Sequence, residues 1–162
     1  MSKRFRIAFS FAGEKRNFVE AMAQILASYF KQELILYDKF HEAELARSDL
    51  AFYLPKLYED ESDLVVGVFC PDYTNKEWCG LEWNAIFGLL KRKNAQAVML
   101  MRFGHVEPEG LHGLAGFIDL DDMQPILGVS RILERLALNE GKQKDFRTHS
   151  GVGTSPRKLQ PC

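Results

Sequence analysis

Residues 64–69 read Leu-Val-Val-Gly-Val-Phe, a run without a single polar side chain. A strand with one face in water alternates apolar and polar residues. A short run that is apolar throughout reads as a strand covered on both faces. Residues 5–12, Phe-Arg-Ile-Ala-Phe-Ser-Phe-Ala, form a mostly apolar run, rich in aromatics and ended by Gly13, which also reads as a buried strand. Mostly apolar runs at 34–37, 97–103 and 117–120 complete a set of five expected strands. The segments between them have helical spacing. In 14–31 the apolar positions are Phe18, Met22, Ile25, Leu26 and Tyr29. Residues 50–58, 74–93 and 123–138 are the other expected helices, with Pro55 weakening the second half of the first. Residues 38–48 are charged, lack a clean period and are expected to form a loop.

Short buried strands alternating with helices imply βαβ units and a parallel sheet with helices on both faces. Right-handed crossovers then lead to a flavodoxin-like, doubly wound α/β sandwich around a five-stranded parallel sheet. Ligands in such sheets sit beyond the carboxyl ends of the strands, so the expected site involves the loops after residues 11, 37 and 69. The domain is expected to occupy 1–138. Residues 139–162, rich in Lys, Gln, Ser, Gly and Pro, are expected to be a flexible polar tail.

Composition removes several function classes. A formal net charge of −1 lacks the basic excess of a dedicated nucleic-acid binder, so no direct nucleic-acid partner is expected. No run approaches the ~20 apolar residues of a membrane span, and no membrane partner is expected. Cys70, Cys79 and Cys162 are odd in number and irregularly spaced, which suits a reducing cytoplasm better than a disulfide framework. No His/Cys cluster has metal spacing, so no metal is expected. His41 is expected to be solvated, and no catalytic role is expected of His105 or His112.

The most informative segment is Tyr73-Thr74-Asn75-Lys76-Glu77-Trp78-Cys79-Gly80-Leu81-Glu82-Trp83. Thr74 and Glu77 form a capping box, and Tyr73 with Trp78 a hydrophobic staple, so a helix is expected to start at Thr74. With Trp78 at zero and roughly 100° per residue, Leu89, Ile86, Cys79, Leu90 and Trp83 share its arc. Glu82, at about 40°, lies inside that arc. A carboxylate on an apolar face is costly unless paired or used. The competing reading is a buried salt bridge, to Arg6 or Arg102. Trp78 and Glu82 are neighbours at i and i+4. An indole beside a carboxylate suits a flat cationic ring, by stacking and by charge.

Three motifs in order resemble the TIR family, specifically its bacterial-type members, over residues 5 to about 138. Ile7-Ala8-Phe9-Ser10-Phe11-Ala12-Gly13-Glu14 is similar to the family's first strand and following loop. Leu36-Tyr37-Asp38-Lys39-Phe40 is similar to its second strand entering the BB loop. Trp78-Cys79-Gly80-Leu81-Glu82 matches the WxxxE pattern of the NAD⁺-cleaving members. The resemblance implies an NAD⁺ nucleosidase with NAD⁺ as substrate and no resident cofactor. It implies Glu82 as the catalytic carboxylate and Trp78 stacking on a base of the substrate. Phe11 and Ala12 would line the site, and Asp38 would close it from the BB loop. Many members carry a basic or polar residue just after the first strand. Here Ala12 and Gly13 stand there, which leaves contact with the pyrophosphate to Arg16.

The resemblance further implies a homo-oligomer formed through TIR–TIR contacts, a role in anti-phage immunity or signalling, and a separate sensor or effector protein as partner. Two other readings share the architecture. One is a non-catalytic TIR adaptor, disfavoured by the intact WxxxE. The other is a nucleoside deoxyribosyltransferase-like enzyme. A phosphorelay receiver lacks its acidic residues: Ala12-Gly13 and Phe69-Cys70 occupy those places.

Overall fold

Five parallel strands hydrogen-bond in the order β2-β1-β3-β4-β5. They are β1 Phe5–Phe11, β2 Ile35–Leu36, β3 Ser62–Phe69, β4 Val98–Arg102 and β5 Ile118–Asp119. The computed structural model describes residues 3–71, 88, 95–107, 113 and 115–141. The strand order is that of the flavodoxin-like α/β sandwich. Its centre is the β1–β3 ladder, in register from Phe5↔Ser62 to Phe11↔Val68. The edge strands β2 and β5 are two residues long, which leaves little edge open to pairing with another chain.

The all-apolar run does what its composition requires. Leu64, Val66 and Val68 join one core, with Ile7 and Phe9 of β1. Val65 and Phe69 join the other, with Ala8. The first core is closed by α1 (Arg16–Tyr29), through Val19, Met22, Ala23 and Leu26. The last helix adds Val129, Ile132 and Leu136 to it. The second core is closed by α3 (Leu50–Asp60), through Leu54, Leu57 and Tyr58. Ser62, buried in β3, is satisfied because its hydroxyl donates to the Leu57 carbonyl at 2.7 Å.

Several boundaries differ from the sequence expectation. The first helix starts at Arg16, because Gly13–Lys15 forms a 3₁₀ turn. The expected strand 34–37 shrinks to Ile35–Leu36, flanked by 3₁₀ turns at Gln32–Leu34 and Asp38–Phe40. Residues 38–48 are not an irregular loop: the 3₁₀ turn is followed by a one-turn helix, α2 (Glu42–Leu45). A four-residue helix is too short to leave a period in the sequence. Helix α3 continues through Pro55 to Asp60. Proline removes one backbone bond, but the burial of Leu57 and Tyr58 beyond it outweighs that loss. The helix expected at 74–93, with its Thr74/Glu77 cap, lies outside the described residues apart from Gly88, as does the tail from 142 onward. Among the described residues no helix is long and apolar enough to cross a membrane.

The last helix, α4 (Pro125–Asn139), starts on Pro125, whose missing N–H is harmless in a first turn. It meets α1 at Gly128, which is buried. A Cβ at this glycine would stand 2.7 Å from the Met22 sulfur and 3.7 Å from Phe18. Gly128→Val is therefore expected to lower unfolding free energy by about 1–3 kcal/mol through overpacking. Gly128→Ala should cost less, since the thioether can swing and alanine favours the helix. Urea unfolding of the two variants checks the order; equal stability of Gly128→Val and the parent contradicts it.

Candidate active site

At the carboxyl ends of β1 and β2 lies a cleft of about 670 Å³. Phe11 and Arg16 form one wall, from the end of β1 and the start of α1. Asp38, Lys39, Glu42, Leu45 and Ala46 form the opposite rim. Leu50, Leu54 and Tyr58 of α3 form the floor, spaced so that one helix face turns to the cleft. The Tyr58 hydroxyl ties this floor to the sheet by donating to the Phe9 carbonyl at 3.1 Å.

Arg16 is the organising cation. Its Nη1 and Nη2 donate to Asp38 Oδ1 and Oδ2, each at 2.7 Å, in a fork-to-fork pair. Nη1 also donates to the Tyr37 hydroxyl at 3.2 Å. The guanidinium carbon stands 5.1 Å from the centre of the Phe11 ring and 5.9 Å from that of Tyr37. These two rings stack with centroids 5.9 Å apart. The hydrogen bonds to Asp38 raise the Arg16 pKa, so the group is a permanent cation. Burial pushes the Tyr37 phenol up, and the Arg16 hydrogen bond only partly opposes this. Tyr37 therefore stays neutral at physiological pH.

The structure thus brings Phe11, Arg16 and Asp38 to one cleft. Ala12 is placed differently. It is fully buried in the α3-side core, and Gly13 faces the cleft instead. Alternation along the strand carries Ala8 and Ala12 to that core and leaves Phe11 on the other side. Trp78 and Glu82 lie outside the described residues. Arg6 and Arg102, the alternative partners considered for Glu82, each hold other carboxylates. Arg6 pairs with Asp63 and Glu140, and Arg102 with Asp119. The loop after residue 69 contributes no described residue to the lining. The α3 floor was missed, although Leu50, Leu54 and Tyr58 recur at intervals of four in the sequence. Among the described residues no three His, Cys, Asp or Glu side chains gather as metal ligands.

A model of the TIR domain family matches residues 7–133. The chain belongs to the TIR domain family. Over 124 residues it is 29% identical to the 3' cyclic ADP-D-ribose synthase AaTIR of Aquimarina amphilecti. That match covers 76% of this chain and 37% of the relative, so this chain spans well under half of the relative's length.

In this TIR domain the segment 38–48 is fastened at both ends. Arg16 holds Asp38. At the far end, Glu44 of α2 receives both Arg4 terminal nitrogens, at 2.6 and 2.5 Å, and the Tyr53 hydroxyl at 2.5 Å. His41 was expected in solvent, yet its side chain is only 10% exposed. Its Nε2 donates to the Ile35 carbonyl at 2.8 Å, and its ring meets Phe5 edge-on. A hydrogen bond to the sheet and an aromatic neighbour make its burial tolerable.

Hydrogen bonding from Arg4 holds the Glu44 carboxyl at about 2, against an ordinary value of 4.5. A depressed carboxylate contributes stability that is present above its unfolded pKa and lost as pH falls through the folded one. Glu44→Gln should thus cost about 1 kcal/mol at neutral pH. The gap from the parent should close as pH falls from 4.5 towards 2. Urea unfolding at a series of pH values checks this. A gap independent of pH would contradict it.

Proposed function

We propose that this TIR domain cleaves NAD⁺ at the nicotinamide–ribose bond, giving nicotinamide and ADP-ribose or a cyclic isomer of it. The observation that carries the reading is the Arg16 guanidinium, set over the Phe11 ring at the mouth of a cleft of about 670 Å³. A fixed planar cation suits the diphosphate of a dinucleotide, and an aromatic wall suits its rings. The cleft lies where open parallel sheets hold nucleotides. Similarity to a cyclic ADP-D-ribose synthase supports the same substrate.

The chemistry asks little of the protein. Nicotinamide in NAD⁺ is already a cation. When the C1′–N bond breaks, the electron pair goes to the ring nitrogen and the base leaves neutral, so no general acid is needed. Positive charge develops on the ribose, as in glycoside hydrolysis. We assign Glu82 to stabilise that charge, with Trp78 stacking on a base of the substrate. The oxygen of water then bonds to C1′ and its proton passes to solvent, or a group within ADP-ribose takes the same position to close a ring. The point where the chain leaves the sheet for the segment that carries Glu82 supports this: Pro71 follows β3 at the carboxyl edge, the edge on which the cleft lies.

We place this reaction in anti-phage immunity or signalling, switched on by self-assembly through TIR–TIR contacts, with a separate sensor or effector as partner. A second reading, a TIR–TIR adaptor without catalysis, is favoured by Phe52, a phenylalanine 79% exposed on α3. Release of nicotinamide from NAD⁺ separates the two. Glu82→Gln is expected to lower the cleavage rate on the order of 10²–10³-fold, with melting temperature unchanged or raised. Full activity in this variant, or its unfolding, would remove Glu82 from the role.

A further inference from the structure

Arg16 and Asp38 both line the cleft, yet they are bonded to each other. The guanidinium assigned above to the diphosphate is thus held by a carboxylate of the same chain. The pair is half open to water, with side-chain exposures of 32% and 43%. Ion pairs so exposed are weak and exchangeable. Asp38 would not be orphaned by losing its partner. Its Oδ1 accepts the Lys39 backbone N–H at 2.8 Å, and water reaches the rest. A phosphate oxygen pair offers Arg16 the same fork geometry with more charge.

The pair also closes the chain turn that leaves β2. Tyr37 and Asp38, consecutive residues, both bond Arg16, and the Phe40 and His41 backbone N–H groups close the turn onto them at 2.9 and 3.1 Å. Beyond it, Glu44 is held separately by Arg4 and Tyr53. The two fastenings thus have different side-chain partners, although the Leu45 N–H donates to the His41 carbonyl at 3.0 Å and links turn to helix.

We propose that the Arg16–Asp38 pair is an exchange latch: a diphosphate-bearing ligand takes the guanidinium from the carboxylate and loosens the Tyr37–His41 turn, while the Glu44 clasp keeps α2 docked. The ligand class rests on the proposed function, but the latch makes a distinct demand. Asp38 competes with the ligand and does not bind it. Removing the carboxylate must therefore tighten binding, whereas a ligand-contacting or merely structural Asp38 gives the opposite sign or no change.

The test is titration calorimetry with inorganic pyrophosphate on the intact chain. Asp38→Asn is expected to bind about fivefold tighter than the parent, the factor an exposed ion pair represents. Arg16→Gln is expected to lose binding. Amide hydrogen exchange at Phe40 and His41 should rise with pyrophosphate, while that at Ala46, whose N–H donates to the Glu42 carbonyl within α2, stays constant. Asp38→Ser, which keeps an acceptor for the Lys39 N–H, provides the same comparison should the Asn variant melt early. Weaker or unchanged binding in both Asp38 variants, binding that survives Arg16→Gln, or no binding by the parent overturns the latch. A protein that shows the expected pattern but leaves NAD⁺ intact keeps the latch and loses the cleavage reading. One that cleaves NAD⁺ but binds pyrophosphate less well as Asp38→Asn does the reverse.

Discussion

A parallel sheet has no face to give to water, and that constraint shapes the rest of this molecule. The β1–β3 ladder runs through six registered pairs with apolar side chains directed into both cores. Each face needs a helical cover, and the covers must start and end beyond the strand ends. Polar chemistry is thereby driven off the faces and onto the carboxyl rim, where Arg16 begins one helix and Asp38 leaves one strand. The cleft is the place where the layers part.

The same constraint explains how the 38–48 segment is held. It is short of large apolar side chains, with Phe40 and Leu45 as its anchors to the cores. Charge supplies the remainder. Arg4 reaches it from ahead of β1, Tyr53 from α3 and Arg16 from α1. Fastenings of this kind are individually modest and exchangeable, in contrast to the packing beneath them. A rim held by partly exposed ion pairs thus sits on a tightly packed sheet. The TIR architecture places this rim over the cleft floor formed by Leu50, Leu54 and Tyr58.

How much of this was legible depends on the length over which a pattern acts. The strand at 64–69 was plain because an unbroken apolar run has few alternatives, and that at 5–12 because its run is short, mostly apolar and rich in aromatics. Helix α3 was legible in spite of Pro55, since its apolar spacing continues past the proline. The one-turn helix at Glu42–Leu45 was not, because a single turn has no period. Phe11 and Asp38 were legible as residues at strand ends, and Arg16 as one at the start of the first helix. The bidentate pairing of Arg16 with Asp38, 22 positions apart, depends on three-dimensional register. Ala12 could have been assigned to the core from its parity with Ala8. His41 had no local signal for burial, since its partners Ile35 and Phe5 are set by the fold. Trp78 and Glu82 are read from their spacing and family pattern alone.

The account stands or falls on chemistry at one bond. Incubating the protein with NAD⁺ across a wide range of protein concentration, and separating the products by chromatography, tests it most directly. The account predicts free nicotinamide in equal amount to ADP-ribose or a cyclic isomer, with specific activity rising as light scattering reports assembly. Intact NAD⁺ at every concentration, from a folded and self-associated protein, would contradict it.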